Sequence, residues 1–152
     1  MEVDADALAA AIADGDRLVL DTNVLIAYLE GNQVITDAAT LLLDDWIHSG
    51  RNPAWISTVS VMEVLVGPMK ADAALTAYFD FLQRFPNLTC VPVDTAVARE
   101  AARIRASTGL RAPDALIVGT AVVTGAAAIV TNDDAIASKS PVPVLALRKY
   151  VV

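Results

Sequence analysis

Short apolar runs rich in Val, Leu and Ile alternate along the chain with stretches whose apolar residues recur every three or four positions. Runs of the first kind read as buried strands and stretches of the second as helices, so their alternation predicts βαβ units around a parallel sheet. An Ala-rich helix is expected over residues 4–13, ended by Gly15, then a strand at 18–20 and a helix over 24–30 that stops at Gly31 and Asn32. Ala39, Leu42, Leu43, Trp46 and Ile47 form one helical stripe that ends near Gly50. A strand at 55–57 leads into a helix that holds Glu63 and closes at Gly67 and Pro68. Leu75, Tyr78, Phe79 and Leu82 repeat the helical spacing, a strand follows at 88–91, and Val97, Ala101 and Ile104 mark a helix that Gly109 terminates. Pro113 suits the first turn of a helix reaching about Thr124. The last strands are expected at 127–130 and 142–145, the latter at a sheet edge because Pro141 and Pro143 cannot donate to a neighbour.

These elements predict a three-layer α/β domain with a parallel sheet of four or five strands flanked by helices. One domain is expected over residues 1–152, with a helical extension at 1–16. The 55% hydrophobic content of the 152 residues leaves ample surface to bury and excludes intrinsic disorder. A single cysteine, Cys90, excludes a disulfide framework and a cysteine zinc site. The longest low-charge stretch, 115–130, is shorter than the ~20 residues that span a bilayer and is broken by Gly119, Thr120, Thr124 and Gly125. The opening Met-Glu-Val-Asp-Ala-Asp has no basic region of the secretory kind, so a cytoplasmic location without membrane contact is expected.

A net charge of −7 changes the picture, because it opposes nucleic-acid binding unless some of the acids hold cations. Four acids acting as metal ligands would leave −3 of that charge. Candidates stand out by position. Asp21 follows one strand and precedes a helix, where open α/β sheets bind ligands and where a helix N-cap would also sit. Glu63 is the one charge in an apolar helix and needs either a cation or a hydrogen-bond network. Asp114 opens an apolar helix, a place the helix dipole also favours. Asp133 and Asp134 follow another strand, and one of them is expected to cap the next helix. Converging carboxylates raise each other's pKa unless a cation neutralises them, and hard oxygen ligands point to Mg²⁺ or Mn²⁺. The one histidine, His48, lies far from these motifs, so a metal-activated water is the expected nucleophile rather than one raised by an imidazole base.

Leu20-Asp21-Thr22-Asn23-Val24-Leu25-Ile26 resembles the opening motif of PIN-domain ribonucleases, and Ser57 to Val64 resembles their second motif. Ala112 to Ile117 resembles the third and Ile129 to Asp133 the fourth, all in the family's order. The length and the opening motif are most similar to VapC-type toxins of toxin–antitoxin pairs. The resemblance implies a Mg²⁺-dependent endoribonuclease in which Asp21, Glu63, Asp114 and Asp133 are the catalytic, metal-holding acids. It implies that Asn23 and Thr131 orient ligands or water at the substrate. Arg111, three residues from Asp114, is the candidate contact to an RNA phosphate. An antitoxin partner and a homodimer are further implications. The segment before the first strand departs from the family pattern. Asp94 reads as a cap, and Arg99, Arg103 and Arg105 as a solvated face partly paired with Glu100.

Three other classes compete. A receiver-like signalling domain also carries carboxylates at strand ends, with Lys139 as its lysine, but its acidic pair should follow the first strand, and Glu63 would have no role. A non-catalytic interaction module would leave four placed acids unexplained. A phosphatase with an Asp nucleophile wants a second acid where Asn23 stands. The apolar excess further predicts an exposed patch, with the stripes around Leu42 and Phe79 as lining for a partner helix or a second copy.

Overall fold

The computed structural model describes residues 2–71 and 73–152. Five parallel strands form one sheet: β1 (Leu18–Leu20), β2 (Ala54–Ser57), β3 (Leu88–Val91), β4 (Ala128–Thr131) and β5 (Val144–Ala146). Their order is β3-β2-β1-β4-β5, so β1 is central and the winding reverses between β1 and β4. The register pairs Leu18 with Ala54 on one side and with Ala128 on the other. Every residue of β1 and β4 is buried, as befits strands covered on both faces. The fifth strand does form an edge, and the carbonyl of Pro143 accepts from Ile129 N–H (2.9 Å) where β4 begins to pair with it.

The period-two alternation sorts the side chains into two cores. Leu18, Leu20, Ile56 and Val130 face a layer made of α1 (Ala5–Ala11), α2 (Thr22–Glu30), α3 (Thr36–Thr40), α4 (Thr58–Ala71) and α5 (Leu75–Arg84). Val19 and Ile129 face the other way, onto α6 (Thr95–Thr108), α7 (Ala112–Thr124) and α8 (Asp134–Lys139). The result is the expected three-layer α/β architecture. The last two large helices approach closely at Gly119, where an added Cβ would stand 3.0 Å from Val97 O and 3.1 Å from Ala101 N. The extension before β1 is packed into the first core through Leu8 and Ile12 and bridges Val3 to Val151. Buried Asn52 ties it down by donating to the carbonyls of Ala13 and Asp16 (both 2.9 Å).

Three expectations from periodicity are corrected. The helix bearing Glu63 does not close at Gly67 and Pro68 but runs on to Ala71, with Pro68 buried inside it. The stripe at 39–47 is only partly α-helical: after α3 the chain widens into a π-type turn over Leu41–Ile47, and His48 N–H donates five residues back to Leu43 O (2.9 Å). That stripe is also not a groove. Ala39, Leu42, Leu43 and Ile47 are fully buried core, and Leu82 on α5 joins them. Exposed large apolar side chains lie on α4 at Met62, Val66 and Met69, with Phe79 of the second stripe lining the same depression as Met69, and also at Val34, Val123 and Val152. Among the described residues no helix is long and apolar enough to cross a membrane.

Candidate active site

Strand β1 ends and α2 begins at Asp21, which is both buried (4% exposed) and the N-cap of that helix. Its Oδ1 accepts from Thr22 N–H (2.7 Å). Its Oδ2 accepts from the Thr131 hydroxyl (2.7 Å) and from Asn23 Nδ2 (3.1 Å). Thr131 is the last residue of β4, so this bond crosses from one strand end to its neighbour at the point where the sheet's winding reverses. Asn23 Nδ2 also reaches Thr131 Oγ1 (3.3 Å), and its Oδ1 accepts from Asn132 N–H (3.1 Å). Asn23 and Thr131 therefore spend their polar atoms on aligning Asp21 and the turn after β4.

Asp133 follows that turn and caps α8, its Oδ1 accepting from Ala135 N–H (2.8 Å) while its own N–H donates to Thr131 Oγ1 (2.9 Å). Asp134 lies in the first turn of α8 and is exposed. Asp114 sits in the first turn of α7, 8% exposed, with the largely exposed Arg111 guanidinium 3.6 Å from its Oδ2. Glu63 projects from α4, half-buried, and its Oε1 accepts from the Thr22 hydroxyl (2.7 Å). That hydroxyl is also 2.9 Å from the fully buried Ser60 Oγ. The hydrogen-bond network that a charge set among apolar neighbours requires is thus present. Its members, Thr22 and Ser60, lie inside the two motifs but were not singled out by sequence reasoning. Their signal was positional: Thr22 adjoins Asp21, and Ser60 precedes Glu63 by one helical turn on the same face.

The charges feel one another. Burial pushes the Asp21 carboxyl up from 3.8 to about 6; the hydrogen bonds from Thr131 and Thr22 oppose this, and the charges of Asp114 and Asp133 add to it. Asp114 is also raised, first by burial, then by Asp133 and Glu63, with Arg111 pulling it back. Asp134 is not among the charges acting on either. The four acids thus gather at one end of the sheet as an electrostatic group. They do not form a preset cage: among the described residues, no three His, Cys, Asp or Glu stand in a group that could hold a metal ion. The donor set itself, carboxylate oxygens without thiol or imidazole, is that of a hard divalent cation, and the repulsion that Asp21 and Asp114 experience is what such a cation relieves.

The remaining candidates lie apart from this group. Asp94 caps α6, accepting from Val97 N–H (2.9 Å), as expected. Arg103 pairs with Glu100, and Arg105 Nε donates to Leu110 O (3.0 Å), so both serve their own helix and its exit. His48 places its ring edge-on to Phe85, with centroids 5.7 Å apart.

No curated protein matches the chain in sequence. Solved structures do match in fold. A toxin–antitoxin complex from Klebsiella pneumoniae superposes with a TM-score of 0.66 at 22% identity, covering 86% of this chain and 97% of that one. FitAcB from Neisseria gonorrhoeae gives 0.69 at 22% identity, with the same coverages. VapC20 of Mycobacterium tuberculosis, described as a toxin that cleaves the sarcin–ricin loop, gives 0.64 at 13% identity over 80% of this chain and 94% of its own. Residues 18–140 match the PIN domain family, a span that starts at β1 and includes every acid of the site. The chain belongs to the PIN domain family.

Proposed function

We propose that this protein is a metal-dependent endoribonuclease, the toxin of a VapBC-type pair, which hydrolyses RNA phosphodiester bonds. The observation that carries the reading is the convergence of Asp21, Glu63, Asp114 and Asp133 from four separate elements onto one end of a PIN-fold sheet. Those four residues would hold one or two Mg²⁺ or Mn²⁺ ions. Such an ion supplies a polarised phosphoryl oxygen and an acidified water. The chain's own groups do the rest. Thr131 and Asn23 keep both oxygens of Asp21 oriented, and Arg111, exposed at the rim, meets the RNA phosphate. The receiver-like alternative loses ground because Glu63 is wired into the site through Thr22.

The partner would be an antitoxin, as the toxin–antitoxin structures of similar fold suggest. A cleft of about 330 Å³ lined by Ile26, Glu30, Glu63, Val64, Pro68 and Tyr78 opens beside Glu63. Apolar walls with two carboxylates suit an amphipathic helix that carries an arginine. The exposed Met69 and Phe79 border a second apolar depression between α4 and α5, where a second copy of the chain would make a homodimer. The reaction would take place in the cytoplasm, with its RNA. The deciding experiment incubates the purified protein with RNA and Mg²⁺, with chelator, and with Asp21→Asn. Cleavage that needs the ion and Asp21 supports the reading; cleavage undiminished in excess chelator removes it.

A further inference from the structure

One residue touches two of the site's carboxylates through different atoms. The backbone N–H of Thr22 donates to Asp21 Oδ1 (2.7 Å), and its side-chain hydroxyl donates to Glu63 Oε1 (2.7 Å). Thr22 is 7% exposed. A threonine hydroxyl has one hydrogen, and here it goes to Glu63. The 2.9 Å contact with Ser60 Oγ must then run from Ser60 to Thr22. Ser60 is fully buried and stands on the helix that also carries Glu63. The chain Ser60 → Thr22 → Glu63 is thus a directed relay in a low-dielectric setting, where successive bonds polarise one another. No other hydrogen bond holds the Glu63 carboxylate among the described residues, so without Thr22 the side chain of a long, flexible Glu is free to rotate away.

We propose that Thr22, backed by Ser60, is a positioning residue that fixes how far the Glu63 carboxylate stands from Asp21 and which oxygen it presents to the site. This rests on the nuclease reading, in which both acids hold the ion. It goes beyond that reading by assigning the placement of a metal-holding acid to two buried hydroxyls, those of Thr22 and Ser60.

The test is calorimetric titration of the full chain with Mn²⁺ alone. Thr22→Val keeps the backbone N–H and the side-chain volume but removes the hydroxyl. It should weaken Mn²⁺ binding by about 10-fold or more, the scale on which partners of metal ligands act. Thr22→Ser should restore most of the affinity, and Ser60→Ala should lose a few-fold. In a Glu63→Ala background, Thr22→Val should cost nothing further, because nothing is left to position. Parent-like affinity in Thr22→Val, or an equal loss with Glu63 absent, overturns the proposal while leaving the nuclease reading intact. If Thr22→Val does not fold, Ser60→Ala decides, parent-like affinity again being the overturning result. A parent chain that does not bind Mn²⁺ overturns both.

Discussion

Two neighbouring turns of this molecule are written in the same local grammar. After β1 comes Asp21, which caps α2; after β4 comes Asp133, which caps α8. Each is an aspartate at the carboxyl end of a buried strand, and each accepts from the backbone just beyond it. Yet the first carboxyl is buried, bonded at both oxygens and pushed up to about 6, while the second is half-exposed and acts on its neighbours chiefly through its charge. The cause is place in the sheet. The turn after central β1 meets Glu63 of α4, bonded to Thr22, and feels the charge of Asp114 on α7, whereas β4 lies beside edge strand β5. A cap becomes a site when the surrounding elements remove its water and bring other charges close.

The largest test of this contrast is activity. Asp21→Asn and Asp114→Asn should each lower RNA cleavage by more than about 100-fold, beyond the scale of residues that merely support metal ligands. Asp133→Asn should lower it less. Thermal melting measured alongside should show all three folded, with Asp21→Asn as stable as the parent or more so at neutral pH, because a buried, repelled charge is gone. Equal losses at Asp21 and Asp133 would erase the distinction.

The next test is pH dependence in metal-free buffer. The folded protein holds the Asp21 proton more tightly than the unfolded chain, so between pH about 4 and about 6 the native state binds more protons. Stability therefore falls as pH rises through that window, by about 2–3 kcal/mol from Asp21. Melting temperatures should drop across it, and Asp21→Asn should flatten the drop, leaving the share due to Asp114. An unchanged slope in Asp21→Asn would show that its burial does not matter.

Thr131 joins the two turns, and Thr131→Val cuts the joint. It removes a donor from Asp21 and an acceptor from Asp133 N–H, which should cost about 1–3 kcal/mol in denaturant melts despite the matched shape. The smallest effect separates cap from charge at Asp133. Asp133→Ala should cost about 1 kcal/mol of stability and Asp133→Asn much less, since Asn caps as well as Asp. An equal cost for both would mean that the charge, rather than the cap, is what the fold uses there.

The strands were legible because residues buried on both faces leave short, nearly continuous apolar runs, as at Leu18, Val19 and Leu20. Strand β4 lies one residue later than the apolar run at 127–130 predicts, because it ends on polar Thr131, whose hydroxyl belongs to the site rather than to a loop. Gly67 and Pro68 would stop an isolated helix, but in the folded chain α4 runs past them to Ala71 with Pro68 packed inside. The stripe at Leu42 and Leu43 had the spacing of an amphipathic surface helix, and nothing in spacing tells a groove from a core.

By itself the sequence determined the order of elements, the layer count and the acids at strand and helix ends. These follow from periodicity and end-signals, which act between residues close in the chain. Only the tertiary structure decided which acids share a field, that Asp133 rather than Asp134 acts on Asp21, and that Thr22 and Ser60 reach Glu63. Those contacts join residues some 40 to 110 positions apart. Their strength depends on how much water the packed helices exclude, a quantity that no local pattern of residues encodes.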